Sequence, residues 1–246
     1  MQLINWLAPS AFLAAVIATL GYRFGFLHFR LSLLVFAIAM LVCTVVFLVG
    51  LFKLAVCIYK KQRFPVELVP LLLACALIPA LTFNNIGAGA FNAVMIHDIT
   101  TDMDNPPVFV FIQPDDGYRI NSLVYPGGEV SATQRQAYPD IKTFVSPVPA
   151  RRVYQKAVFI SSLLGWEIIA KDLGGLRYEA VTKTPLFGFV DDIAVRITPL
   201  ADGGSAVDVR SMSRVGISDL GTNAKRIRRF LGELEAVLEQ ELINLQ

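Results

Sequence analysis

The longest uncharged stretch of the chain limits its fold more than any other feature. Leu31–Phe52 runs for 22 residues without a charged side chain, and a helix needs about 20 apolar residues to cross the hydrocarbon core of a bilayer. Two further apolar stretches, Ile4–Leu20 and Val66–Phe83, flank it. Together they predict an anchor of three transmembrane helices over residues 1–83.

The distribution of charge separates this anchor from the rest of the chain. Residues 1–95 carry six Lys/Arg and one acid, and residues 96–246 carry 16 Lys/Arg and 19 Asp/Glu. The two net charges, +5 and −3, add to the +2 of the whole chain. A mildly acidic second part argues against nucleic-acid binding. All three cysteines lie in the first part, so we predict no disulfide or thiol-bound metal in the second.

The basic residues between the apolar stretches predict the side that each loop faces. The first loop holds Arg23 and Arg30, and the second holds Lys60, Lys61 and Arg63. Because Lys and Arg are enriched in cytoplasmic loops, this count favours a cytoplasmic N-terminus and an external C-terminal domain. We therefore predict a multi-pass protein of the cell inner membrane with a periplasmic C-terminal domain.

The remaining chain divides by composition and periodicity. Residues 84–140 are rich in Gly, Pro and Asn and predict a tether and loop-rich extended segment, with short strands at most near Val108–Ile112 and Ile120–Val124. Residues 141–246 predict, in order, a strand, a helix, four antiparallel strands and a last helix that begins near Asp219 or Thr222. The predicted class is α+β: three transmembrane helices, then a small antiparallel sheet with two packed helices, similar to a helix-grip domain.

A β-hairpin is the most regular feature of this second part. Apolar residues alternate with polar ones in both arms, at positions 193, 195 and 197 and at 207 and 209. Asp202-Gly203-Gly204 tolerates positive φ angles and predicts a three-residue loop. This loop would pair Ile197 with Val209 and Asp192 with Arg214, and would leave Asp208 and Arg210 on a solvated face.

Three motifs resemble the family called domain of unknown function 1499: FVDD, VDVRS and SRVGISDLGTNAKRI, at residues 189–192, 207–211 and 213–227. The likeness covers roughly residues 141–238, and Gly165-Trp166 and the RYEA run at 177–180 also fit the pattern. The resemblance implies a small, often membrane-attached domain of bacterial and plastid proteins. It implies no catalytic residues.

The inventory of reactive groups argues against several chemistries. Asp191 and Asp192 are adjacent in a predicted strand and point to opposite faces, so they cannot share a proton; we expect Asp192 to bind Arg214 and Asp191 to close a turn. Residues 141–246 contain no histidine, which excludes a Ser/His/Asp triad there. His97 lies beside a carboxylate, but no second histidine can join it, so we predict no metal site and no cofactor.

Two candidate binding sites remain. Five cations around the start of the last helix could hold an anionic group or an acidic partner, or could form an ordinary solvated face: Arg210, Arg214, Lys225, Arg226 and Arg229. Four aromatic residues could line an apolar pocket, or could simply form the core: Trp166, Phe187, Phe189 and Phe230.

The leading functional hypothesis is a non-enzymatic binding or assembly domain presented at the membrane surface, for a lipid or an acidic partner. The alternative is an enzyme that processes envelope lipids or glycans by Asp/Glu acid–base chemistry. That enzyme would need a cleft gathering several of Asp191, Asp192, Asp208 and Asp219. A structural subunit whose three helices dock with other membrane proteins is the third possibility.

Overall fold

The computed structural model describes residues 2–87, 90, 92–115 and 117–244. It divides the chain into two units: residues 1–88 with Pro185–Gly188, and Gly89–Thr184 with Phe189–Gln246. The first described residue of the second unit is Ala90, which lies in the predicted tether. Within the predicted tether, residues 88, 89, 91 and 116 lie outside the described residues.

The first unit consists of three long apolar helices: α1 (Gln2–Arg23), α2 (Phe29–Tyr59) and α3 (Val69–Ile86). Within the described residues, all three are long and apolar enough to cross a membrane. A Cβ atom on Gly50 of α2 would clash with the Leu72 side chain of α3. Glycine at this position therefore lets the two helices approach closely, as small residues do between apolar helices.

The second unit contains a six-stranded antiparallel sheet among its described residues. Its strands are β1 (Asp98–Thr100), β2 (Phe144–Ser146), β3 (Glu167–Asp172), β4 (Arg177–Lys183), β5 (Val190–Pro199) and β6 (Ser205–Ser213). The order is β1-β6-β5-β4-β3, and β2 also pairs with β6. Its helices are α4 (Gly128–Ala137), α5 (Ala150–Leu163) and α6 (Thr222–Asn244). The predicted α+β class is confirmed.

Two helices cover one face of the sheet, which we call the inner face. Contacts join α5 and α6 to each other and to the sheet, and the buried residues of this layer include Tyr178, Ile193, Val209 and Phe230. Tyr178 is fully buried, and its hydroxyl lies 2.7 Å from the Ser161 hydroxyl of α5, which satisfies both groups. This single apolar layer is the core of the unit.

The hairpin of β5 and β6 has the predicted faces but a different register. Ile197 pairs with Val207 and Asp192 with Met212, two residues away from the predicted partners. The Leu200 amide donates to the Gly204 carbonyl at 3.0 Å, so the three-residue loop is 201–203 rather than 202–204. Gly203, at φ +89°, takes the left-handed position that ends such a loop. Because the shift is even, no side chain changes face.

The segment before the first predicted strand is more ordered than its composition indicated. The predicted strands near Val108–Ile112 and Ile120–Val124 are irregular in the structure, whereas β1 and α4 were not predicted. The amides of Val110 and Ile112 donate to a side chain, and the Ile120 amide donates to the Arg214 carbonyl. These amides therefore do not join a strand ladder, which explains why the described parts of this segment are irregular.

Candidate functional site

The second face of the sheet, the outer face, carries most of the charged residues of the strands. Glu179, Asp192, Asp208 and Arg210 lie there because strand residues alternate between faces, and each is at most 4% exposed. Residues 102–115 and 117–125, which we call the cover segment, lie over this face and bind these side chains. The prediction that Asp208 and Arg210 lie on a solvated face is therefore wrong. The alternation of residues within the hairpin could not reveal that a distant segment of the chain covers this face.

Arg210 forms the central contact of this buried polar layer. Its Nε and Nη2 atoms donate to the two carboxylate oxygens of Asp98 at 3.0 and 2.7 Å, and each side chain is 1% exposed. The same guanidinium donates to the carbonyls of Pro107 and Leu123 at 3.3 and 2.9 Å. One arginine of β6 thus binds β1 and two parts of the cover segment, with the strong geometry of a two-pronged ion pair.

Glu179 of β4 holds the middle of the cover segment. Its carboxylate accepts the backbone amides of Val110, Phe111 and Ile112 at distances of 2.5 to 3.1 Å. Successive amides that converge on one anion form a concave anion site. Here the anion belongs to the chain itself, so this arrangement fixes the cover segment on the sheet.

A third set of contacts holds the start of the cover segment. Arg196 donates through Nη2 to Asp102 at 3.0 Å, to Asp208 at 2.9 Å and to the Asn105 carbonyl at 2.8 Å. Asp208 also accepts hydrogen bonds from the hydroxyls of Thr101 and Thr143. Asp208 is therefore surrounded by donors and is held as a structural carboxylate.

Two arginines share the carboxylate of Asp192. Arg214 donates through Nε and Nη2 to Oδ1 at 2.9 and 2.7 Å, as the sequence predicted. Arg119 of the cover segment brings Nη1 to 2.7 Å from Oδ2, and only 5% of its side chain is exposed. All three nitrogens of the Arg119 guanidinium and Oδ2 of Asp192 are buried and have no hydrogen-bond partner among the described residues, so this contact is an ion pair without a hydrogen bond.

A separate polar cluster lies on the inner face, at the start of α6. Arg226 brings Nη2 to 2.5 Å from Asp191 and donates through Nη1 to the Ser211 hydroxyl at 2.9 Å. Asp191 therefore binds α6 and does not close a turn, contrary to the prediction. Asn223 accepts from the Ser211 hydroxyl and donates to the His97 carbonyl, which fixes the helix start to β6 and to the residue before β1.

Asp219 caps α6 with both oxygens of its carboxylate. It accepts the amides of Gly221 and Asn223 at 2.8 and 2.7 Å. Burial raises the pKa of Asp219 to about 6, and the nearby Asp191 carboxylate acts in the same direction, while the two amides and Arg226 oppose the shift. Burial also lowers the pKa of His97. Both groups are packed against the sheet edge where α6 begins.

The structure does not gather the five predicted cations into one patch. Arg210 and Arg214 lie on the outer face with Asp98 and Asp192, whereas Arg226 lies on the inner face with Asp191. The two others, Lys225 and Arg229, are exposed on α6. Whether any of the five binds an anion or a partner stays a prediction.

The four predicted pocket aromatics are also distributed. Trp166 stacks on Phe230 with ring centroids 5.0 Å apart, in the core of the second unit. Phe187 belongs to the first unit, where its ring packs edge-on against Phe36 at 5.0 Å. Phe189 is partly buried, and its amide donates to the Thr184 hydroxyl just before β5. An apolar ligand site at these residues stays a prediction.

The carboxylates named for an enzymatic function lie in two places. Asp191 and Asp219 lie near each other where α6 begins. Asp192 and Asp208 lie on the outer face of the sheet. No three His, Cys, Asp or Glu side chains within the described part of the chain are grouped so that they could hold a metal ion. Whether any of these carboxylates takes part in acid–base chemistry stays a prediction.

Sequence reasoning missed three residues of the polar layer: Asp98 as the partner of Arg210, Glu179 and Arg119. For Glu179, and also for Arg210, the sequence contained a signal. Charged residues in the middle of regular strands, such as Glu179 and Arg210, indicate that the corresponding face is either open to solvent or covered by polar structure. Nothing in the irregular segment around Arg119 marked it.

Comparison with known proteins gives little outside one family. Two solved structures have 15% identity: the crystal structure of Ara h 8.0201 (TM-score 0.32, 40% of this chain and 95% of that chain) and the crystal structure of TTHA0849 from Thermus thermophilus (TM-score 0.23, 42% and 96%). Scores this low support no inference about fold or function. A search of curated proteins found no significant match.

The family comparison covers the whole polar layer. A family model described as "Protein of unknown function (DUF1499)" matches residues 98–234. The match begins at Asp98, the partner of Arg210, and includes the cover segment, all six strands and the first half of α6. It spans more than half of the chain, and the chain belongs to the DUF1499 family.

Proposed function

We propose that this protein is a membrane-anchored, non-enzymatic binding or assembly protein, whose second unit is the binding domain. The observation that carries the proposal is the buried polar layer under the cover segment. Its carboxylates are bound by arginines, hydroxyls or backbone amides, as the contacts of Asp98, Glu179, Asp192 and Asp208 demonstrate. Groups held in this way stabilise one arrangement of the chain and are not available to a substrate.

The physical contrast with an enzyme supports this reading. A general acid or base needs to reach a reacting atom and to have a pKa near the working pH. Asp219 meets the second condition, with a pKa of about 6, but both of its oxygens accept amides of its own helix start. The acid–base alternative therefore rests on a carboxylate that already has a structural role.

The binding partner that we propose is an anionic membrane surface, recognised by the exposed cations of α6. Lys225 and Arg229 are exposed one turn apart, so they present two positive charges on one side of the helix. Each basic residue near an anionic lipid surface contributes about 1 kcal/mol. The inner-membrane location and the periplasmic side of the domain belong to this proposal and rest on the loop charges.

The test uses the full chain held in nanodiscs of zwitterionic lipid, and measures its co-sedimentation with phosphatidylglycerol vesicles and with phosphatidylcholine vesicles. Changing Lys225 and Arg229 to alanine should weaken binding to the anionic vesicles roughly thirtyfold, which corresponds to about 2 kcal/mol. The matched control is Arg135→Ala, which removes an exposed cation of α4. If the double variant sediments like the control, the proposed surface is wrong.

A further inference from the structure

Three apolar side chains, which we call the loop patch, are exposed near the start of α6: Met95, Ile217 and Leu220. They are 64%, 72% and 43% exposed. Ile217 and Leu220 belong to the loop between β6 and α6, and Met95 belongs to the segment that leads into β1. Single exposed apolar residues need no explanation, whereas a contiguous group of them marks a contact surface. The hydrogen bonds around these three residues bring them into such a group.

Two hydrogen bonds hold the two parts of the loop patch side by side. The Ser218 hydroxyl donates to the Val94 carbonyl at 3.2 Å. The Asp219 amide donates to the Ile96 carbonyl, also at 3.2 Å. Each exposed residue of the loop patch is the direct neighbour in the chain of one of these bonded residues. The three apolar side chains are therefore exposed at one place on the second unit.

The backbone of Leu220 is strained, and the loop holds it in that state. Its φ is +54°, in the left-handed region that a bulky side chain rarely adopts. The Leu220 amide donates to the Ser218 hydroxyl at 3.2 Å, and the next amide, of Gly221, donates to Asp219 at 2.8 Å. Strained residues persist only where their surroundings fix them, and they concentrate at functional sites. Because glycine takes this conformation without strain, an exposed leucine here indicates that its side chain has a use.

Exposed cations follow the loop patch on α6. The Lys225 amide donates to the Gly221 carbonyl at 3.1 Å, so Lys225 lies one helical turn after the loop. Arg229 lies one turn further, and both side chains are exposed. A surface that combines apolar side chains with cations suits the interface of an anionic bilayer, where the apolar groups enter the acyl boundary and the cations attract head groups.

The cover segment provides a contrast on the opposite face of the sheet. It also exposes apolar side chains, such as Val108 and Val124, which are 63% and 77% exposed. The exposed charged residues among its described positions are Asp104 and Asp115, and an anionic lipid surface repels both. Charge therefore favours the start of α6 as the side of the unit that meets lipid.

A lipid surface is also within reach of the loop patch. The helix α3, which is long and apolar enough to cross a membrane, ends at Ile86. Met95 follows nine positions later, so at most about 32 Å of fully extended chain joins the two residues. The chain itself thus keeps a bilayer at a high effective concentration around the patch.

We propose that the loop patch inserts into the interface of the bilayer that holds the apolar helices. This inference rests on the proposed function, because it takes the membrane as the binding partner. It adds an apolar contact to the attraction between lipid and the cations of α6. It also specifies the lipid-facing side of the second unit as the start of α6.

The first experiment measures lipid contact at residue 217 in the full chain, reconstituted in liposomes of phosphatidylglycerol and phosphatidylcholine. The buried Cys43, Cys57 and Cys75 are changed to alanine, and Ile217→Cys carries an NBD fluorophore. Lipids with a doxyl spin label on the acyl chain should quench this fluorophore. The matched control is the same label at Val124→Cys, an exposed apolar position of the cover segment, which should not be quenched.

Two results would refute the insertion. The first is quenching at residue 217 that does not exceed the quenching at residue 124. The second is a blue-shifted emission at residue 217 without quenching by doxyl lipid, which would identify a protein neighbour, such as a second copy of the chain, instead of lipid.

The second experiment removes the apolar side chains from the loop patch in the vesicle assay. Ile217→Ser is combined with Leu220→Asn, since asparagine tolerates the left-handed conformation. Affinity for phosphatidylglycerol vesicles should fall roughly tenfold or more, because two apolar side chains no longer leave water. The matched control, Val108→Ser with Val124→Ser, should bind like the original protein. Equal affinities of the two double variants would overturn the proposal.

Salt separates this inference from the proposed function. The loss caused by changing Lys225 and Arg229 to alanine depends on charge and should shrink at about 1 M potassium chloride. The loss caused by the loop-patch variant should persist at that concentration. If only the cation variant weakens binding, the insertion fails and the proposed function stands. If only the loop-patch variant weakens binding, the insertion stands and the proposed cation surface is wrong.

Discussion

We expect the loss of one partner of the buried Asp98–Arg210 ion pair to destabilise the protein more than the loss of one partner of a surface pair. Asp98→Ala would leave the Arg210 guanidinium buried without its carboxylate, and removal of one member of a buried pair costs about 3–5 kcal/mol. Arg210 keeps two carbonyl acceptors and lies 4.9 Å from the Phe109 ring centroid, which offsets part of the loss. We therefore expect the lower end, about 3 kcal/mol, or about 6–12 °C in the unfolding midpoint.

The assay follows the fluorescence of Trp166, which stacks on Phe230 in the core of the second unit. The chain has two tryptophans, so a Trp6→Phe background makes Trp166 the sole reporter of this unit. The matched control is Asp104→Ala, which breaks a surface pair with Arg135 whose side chains are 89% and 54% exposed. The control should cost less than about 1 kcal/mol.

Two outcomes would refute this reasoning. If Asp98→Ala and Asp104→Ala lower the unfolding midpoint equally, then a buried arginine that loses its carboxylate costs no more stability than an exposed one. If the double variant Asp98→Ala, Arg210→Ala loses the sum of the two single losses, the two side chains do not interact energetically, since contacting partners should depart from additivity by 0.5–3 kcal/mol or so.

Two further predictions concern single carboxylates. The pKa of Asp219 is about 6 in the folded protein and about 3.8 in the unfolded chain, so the folded state binds the proton more tightly. The stability that this proton binding contributes is therefore complete below a pH of about 3.8 and is lost as the pH rises to about 6. The urea midpoint of the original protein should include this loss across the pH window, and the midpoint of Asp219→Asn should not. Parallel pH profiles of the two proteins would contradict the assignment of the raised pKa to Asp219. Glu179→Gln should weaken the hold on the amides of residues 110–112 by about 1–3 kcal/mol. Hydrogen exchange of these amides should accelerate, and unchanged exchange would mean that another contact holds the cover segment.

Sequence reasoning succeeded where one local pattern dominates. The alternation of Ile193, Val195 and Ile197 predicted the inner face correctly, because the period of a strand is fixed by its geometry. The register was wrong because two adjacent glycines could each take the left-handed position of the loop, and only the structure shows that Gly203 does so. The three apolar helices were predicted from length and composition alone.

The polar layer could not be predicted for a physical reason. Its contacts join residues far apart in the chain, and the cover segment has no periodicity to mark its buried side. Arg119 is the clearest case, since it lies between two exposed residues in an irregular run and only 5% of its side chain is exposed. Of the candidate site residues, the sequence identified Arg214 with its correct partner, Asp192, because the two lie on neighbouring strands.

The position of β6 has a consequence for how the second unit forms. Within the described residues, β1 and β2 have no strand partner other than β6, which also pairs with β5. Asp98 and Arg210 are 112 residues apart in the chain. During synthesis β1 and β2 must therefore wait without a strand partner until residues 205–213 have been made. Contacts of such long sequence separation form slowly, so the nascent chain exposes these two strands to chaperones or to premature association until β6 has been made.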